Sequence, residues 1–105
     1  MTSMALEEME KNVGRASSLL QAMSNPKRLL VLCLLAEGEC SVGALAERVG
    51  LSQSALSQHL ARLREDGFVK TRREAQTVYY GVAGGEVHAV LDALHGLYCQ
   101  QTARS

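Results

Sequence analysis

The most informative chemistry in this chain lies between Ser52 and Arg64. Leu56, Leu60 and Leu63 recur there at steps of four and three, which leaves Ser52, Gln53, Ser54, Ser57, Gln58, His59, Arg62 and Arg64 off the apolar stripe. A solvated helix face ordinarily carries Glu and Lys, whereas this one is made of short neutral hydrogen-bonding groups with two arginines at its end. Such side chains near a helix N-terminus suit base edges in a DNA major groove, where Gln pairs with adenine through two hydrogen bonds and Ser serves several bases. Arg62 and Arg64 would then meet phosphates, as would Lys70, Arg72 and Arg73 further along, with Gln76 beside them at a polar tip. Phosphate contacts set register and most of the salt-dependent affinity. His59, in mid-helix, fits a packing or phosphate contact as well as a base contact. Ser and Gln alone are equally compatible with a low-charge solvated helix, so the weight falls on the surrounding elements.

The thiols and imidazoles form a second set. Cys33, Cys40 and Cys99 are odd in number and include no Cys-x-x-Cys, which argues against a disulfide framework or a zinc ribbon and for reduced thiols. Cys33 sits in an apolar stretch and reads as a buried core residue. Cys99 falls outside the apolar stripe of its segment and reads as exposed and reactive. His88, Asp92, His95 and Cys99 follow at steps of four, three and four and share one helical face, which is either a zinc or nickel site or a polar solvated face. No nucleophile with a positioned base, no phosphate loop and no thioredoxin-like motif is evident, so neither an enzyme nor a cofactor is expected.

These residues need elements to position them. The 105 residues are 47% hydrophobic, lack Trp and contain one Phe, Phe68, so a single domain over residues 1–105 with an aliphatic, mostly helical core is expected. Leu6, Met9, Val13, Ala16, Leu20 and Met23 form one helical stripe over residues 5–23. Asn25 and Pro26 open a second apolar helix that runs to Ala36 and stops at Gly38. Ser41 caps a short third helix, Val42 to Val49, with Val42, Leu45, Ala46 and Val49 inward and Gly50 as its exit. Ser52 caps a fourth that runs to about Asp66, so residues 41–66 read as a helix-turn-helix. Residues 68–82 switch to branched and aromatic residues around a polar tip, Arg73 to Gln76, and read as a two-stranded hairpin, or wing. After Gly84 and Gly85, residues 86–102 form a last helix with Val87, Val90, Leu91, Leu94, Leu97 and Tyr98 on one side. The expected fold is mainly α, a winged helix-turn-helix in the order α-α-α-α-β-β-α.

The formal net charge is zero, but Glu7, Glu8 and Glu10 cluster near the start while Arg48, Arg62, Arg64, Lys70, Arg72 and Arg73 lie in the middle, which leaves room for a basic face. No apolar stretch approaches the roughly 18 residues of a membrane span, and the first residues are acidic rather than basic, so a cytoplasmic protein without membrane attachment is expected. One such domain covers few base pairs, and the stripes over 5–23 and 86–102 are long for a three-helix core to bury. A homodimer reading two half-sites follows, unless the two stripes pack on each other within one subunit. A protein-interaction module of the same fold is the competing class, and salt dependence separates the two.

The run from Leu51 to Arg64, followed by Asp66 to Val69 and Arg72 to Tyr80, strongly resembles the ArsR family of winged-helix regulators over nearly the whole chain. The segments Glu8 to Asn12 and Leu94 to Gln100 are similar to its HlyU/BigR/SqrR subgroup. The resemblance implies a homodimer on the first and last helices that binds an inverted repeat in promoter double-stranded DNA, in possible competition with another DNA-binding repressor. The family's soft-metal pair of cysteines falls here on Ser41 and Gly43, so that site is absent. In the subgroup, a cysteine of the second helix and one of the last sense reactive sulfur. Cys33 and Cys99 occupy the matching places.

Overall fold

The computed structural model describes residues 3–99, so the part of the last helix expected over 100–102 lies outside the described residues. The chain runs α1 (Ser3–Met23), α2 (Pro26–Glu37), β1 (Cys40–Ser41), α3 (Val42–Val49), α4 (Gln53–Glu65), β2 (Val69–Glu74), β3 (Thr77–Val82) and α5 (Glu86–Tyr98). Each internal helix starts where a side chain satisfies a free N–H. Asn25 Oδ1 accepts from Arg28 at 3.0 Å, Ser41 Oγ from Ala44 at 3.3 Å and Ser52 Oγ from Ala55 at 3.1 Å. Pro26, at the first turn of α2, gives up an N–H that has no partner there anyway. At the exit of α3, Gly50 takes φ +73°, a left-handed turn that favours glycine, and its N–H returns to Ala46 O at 2.9 Å.

The expected hairpin is present, and the structure adds a strand to it. β1 pairs antiparallel with β3, Cys40 opposite Tyr80 and Ser41 opposite Tyr79, giving a three-stranded sheet in the order β1-β3-β2 rather than a two-stranded wing. Two residues are too few for alternation to show, and the pairing is made across almost forty positions of sequence. β2 also runs further than expected: Glu74 pairs with Thr77, so the turn is only Ala75 and Gln76, with Ala75 at φ +55°.

The largest fully buried side chains are Phe68, Leu32, Leu45, Leu56, Leu60, Leu63, Val31 and Val87. Full burial of each Leu or Val stabilises by roughly 1.5–3 kcal/mol before entropy is counted. The α1 stripe departs from expectation. Leu19, Ala22 and Met23 enter the core, whereas Leu6, Met9, Val13 and Leu20 are 44–62% exposed. On α5, Val87 and Leu91 are buried while Leu97 and Tyr98 are 72% and 74% exposed. Val42 of α3 is half-buried rather than buried. Arg15 of α1 ties these parts together: it donates to Asp66 O at 2.7 Å, pairs with Glu86 at the start of α5 and lies 4.5 Å over the Phe68 ring.

Candidate DNA interface

Leu56, Leu60 and Leu63 seat one face of α4 on the core and turn the other outward. Ser52, Gln53, Ser54, Ser57, Gln58, Arg62 and Arg64 are exposed, and His59 is half-buried. The approach to α4 is fixed from α2, where Lys27 Nζ donates to Val49 O at 2.7 Å and so holds the last turn of α3. The free N–H groups at the start of α4 make that end electropositive, as an element meeting a polyanion requires.

The cations divide into two groups. Arg62 lies 3.9 Å from Asp66, one turn along α4. Arg72 is held much more firmly: its Nε and Nη2 each reach Glu39 Oε1 at 2.9 Å, its Nη1 lies 3.6 Å from Glu74, and its guanidinium sits 4.9 Å over the Tyr79 ring. The hydrogen bond and charge of Glu39 raise its pKa above the ordinary arginine value. Arg64, Lys70 and Arg73, by contrast, make no ion pair among the described residues, and Lys70, Arg73 and Gln76 are exposed on the wing. Sequence reasoning passed over Tyr80. It joins Ser57, Ala61, Arg64 and Glu65 around a cleft of about 420 Å³ between α4 and β3, and only the three-dimensional pairing of helix and wing places it there.

The thiols lie elsewhere. Cys33 is half-buried on the wall of a cavity of about 220 Å³ between α2 and α5, together with Ala36, Glu37, His88, Leu91, Asp92 and His95. Burial pushes its pKa up, and the negative charges of Cys99 and then Glu37 add to the shift, so the Cys99 sulfur is close enough to act on it. Cys99 is exposed, and Cys40 is half-buried in β1 opposite Tyr80. His88, Asp92 and His95 do share a face, but no group of three His, Cys, Asp or Glu among the described residues is arranged to hold a metal ion. The zinc or nickel alternative therefore gains nothing from the geometry. No described helix is long and apolar enough to cross a membrane.

Residues 25–71 match the family described as bacterial regulatory protein, arsR family. The chain is 59% identical over 97 residues to the transcriptional activator HlyU of Vibrio cholerae, spanning 92% of this chain and 90% of that one. The solved structure of the Vibrio protein superposes with a TM-score of 0.82 at 58% identity, covering 87% of this chain and 99% of that one. The transcriptional repressor BigR from Xylella fastidiosa superposes with a TM-score of 0.83 at 39% identity, over 94% and 98% of the two chains. A homodimeric winged helix-turn-helix domain, Mb0332 of Mycobacterium bovis, matches at 0.75 and 26% identity, over 100% and 94%. With its capped recognition-type helix and basic hairpin, the chain belongs to the ArsR family of winged helix-turn-helix, DNA-binding transcriptional regulators.

Proposed function

We propose that the protein is a homodimer that binds an imperfect inverted repeat in promoter DNA and that its hold on DNA is set by the oxidation state of Cys33 and Cys99. The observation that carries the DNA half is the exposed polar face of α4 aligned with cations that no carboxylate occupies. Gln53, Ser54, Ser57 and Gln58 read bases, Ser52 caps the helix at the DNA surface, and Arg64, Lys70, Arg73 and Gln76 meet the backbone, with Arg62 and His59 at the margin. The dimer half rests on Leu6, Met9, Val13, Leu20, Leu97 and Tyr98. These leave an apolar surface uncovered on the two terminal helices, and a second copy would cover it. Occupancy of the promoter would then act directly or by displacing another bound repressor.

For the switch, the exposed Cys99 is the first nucleophile and Cys33, whose thiolate is disfavoured, is the second. The Cys99 thiolate attacks the outer sulfur of an organic persulfide, RSSH, forming Cys99–S–SH and releasing RSH. The Cys33 thiolate then attacks Cys99 Sγ, closing a disulfide and expelling HS⁻. The two protein sulfurs lose the two electrons that the persulfide gains. A gel shift on the DNA upstream of the protein's own gene, with intact-mass measurement before and after polysulfide, tests this reading. The parent should change both mass and affinity, and Cys33→Ser and Cys99→Ser should lose the response; serine variants that respond like the parent would sink the switch.

A further inference from the structure

The firm hold on Arg72 is at odds with a phosphate-binding role for it. Its Nε and Nη2 are both spent on Glu39, Glu74 approaches Nη1, and Tyr79 covers one face of the guanidinium. Glu39 does not belong to the hairpin. It precedes β1 and reaches Arg72 on β2, although β3 lies between those strands. Gly81 of β3 makes the crossing possible: a Cβ there would lie 3.3 Å from Glu39 Cγ, tighter than ordinary van der Waals contact. The interaction therefore bridges all three strands. A hairpin with nothing beneath it is marginally stable in water, and β1 contributes only two residues of pairing, so a charged crosslink at this position adds materially to the wing's order.

We propose that Glu39 and Arg72 form a clamp that positions the wing, so that Glu39, an acidic residue beside the DNA surface, strengthens DNA binding. The proposal rests on the reading that the wing meets the backbone. Arg72 is then a positioning residue, and Lys70 and Arg73 make the contacts. Along β2 successive side chains alternate in direction, so Arg72 and Lys70 share one face while Arg73 takes the other. Fixing Arg72 against β1 thereby fixes where both neighbours point. Charge alone predicts the opposite sign, because removing a negative group near a polyanion should tighten binding.

The sign of one substitution separates the two. In fluorescence-anisotropy titrations on the DNA upstream of the protein's own gene, Glu39→Gln should weaken binding about three- to tenfold, the scale of losing an exposed but networked ion pair. Arg72→Lys keeps its charge but cannot make the forked contact, so it should weaken binding to a similar degree. The double variant should be no weaker than either single one. Amide exchange over residues 70–78 should quicken in both single variants without loss of the helical circular-dichroism signal. Glu39→Gln binding as tightly as the parent, or more tightly, overturns the clamp. So does an Arg72→Gln variant whose salt slope falls by about 0.9, the signature of one lost phosphate contact. Arg73→Ala distinguishes the failures: if it loses affinity while Glu39→Gln does not, wing contact stands and only the clamp falls. If neither changes, both fall.

Discussion

Replacing Ser52 by Asp and, separately, by Ala divides what this residue does for the fold from what its position does for DNA. Ser52 Oγ accepts the Ala55 N–H at 3.1 Å and is the only side-chain cap on α4. Alanine removes the acceptor, which costs about 1 kcal/mol within a range of roughly 0.5–2 kcal/mol. In a domain of this size that lowers Tm by about 4–8 °C per kcal/mol. Aspartate keeps the acceptor and adds a favourable charge at the helix N-terminus, worth roughly 0.3–1 kcal/mol, so Tm should hold or rise. DNA responds the other way. A carboxylate about 6 Å from a phosphate is repelled by roughly 1–3 kcal/mol for effective dielectric constants between about 80 and 20, and a dimer pays this twice. The loss of affinity should thus be tenfold or more. Thermal melts followed at 222 nm and anisotropy titrations, at one protein concentration, measure both effects. If Ser52→Asp binds DNA within twofold of the parent, the start of α4 does not face DNA and the docking argument fails.

Other outcomes follow from burial and exposure. Leu60→Ala, at a fully buried position under α4, should cost about 2–5 kcal/mol in urea unfolding with an unchanged m-value; a loss under 1 kcal/mol would mean the helix is not seated as described. Leu20→Lys should give a folded monomer in sedimentation velocity, because Leu20 is 62% exposed, whereas Leu19→Lys should fail to fold, because Leu19 is 6% exposed; a Leu20→Lys dimer would remove α1 from the interface. Cys33, with its pKa raised above the ordinary thiol value of 9.0, is almost wholly protonated at pH 7. Iodoacetamide should therefore label Cys99 first, and the lag should shrink as the pH is taken above 9 and Cys33 thiolate forms; equal labelling at pH 7 would contradict the burial of Cys33.

The helices and the hairpin were legible because each depends on local signals. Asn25, Ser41 and Ser52 announce helix starts, Gly50 and Gly67 mark exits, and the leucines of α4 repeat with the helical period. What depends on distant parts of the chain was not legible. β1 exists only because β3 lies beside it, and the engagement of Arg72 requires Glu39, 33 residues earlier and just past the Gly38 break. On α1, one apolar stripe read from spacing proved to be two faces. Leu19, Ala22 and Met23 meet the core while Leu6, Met9, Val13 and Leu20 do not, and periodicity alone cannot say which face a neighbour will cover. The polar face of α4 was readable because its departure from a Glu- and Lys-rich surface is written in residue type. The cleft that brings Tyr80 to Arg64 was not, since it needs the wing folded back beside the helix.

The salt dependence of DNA binding tests the central claim most directly. Arg64, Lys70 and Arg73 are the cations left without ion pairs on the proposed surface, three in each protomer and six in a dimer; at about 0.9 per phosphate, log K should fall against log salt with a slope of about −5. Titrating the reduced protein on the DNA upstream of its own gene between about 50 and 200 mM KCl should therefore cost about a thousandfold in affinity, with a single inverted repeat protected. A slope near zero, or a slope of about half that value with only a half-site protected, would contradict a dimer that binds DNA through α4 and the wing.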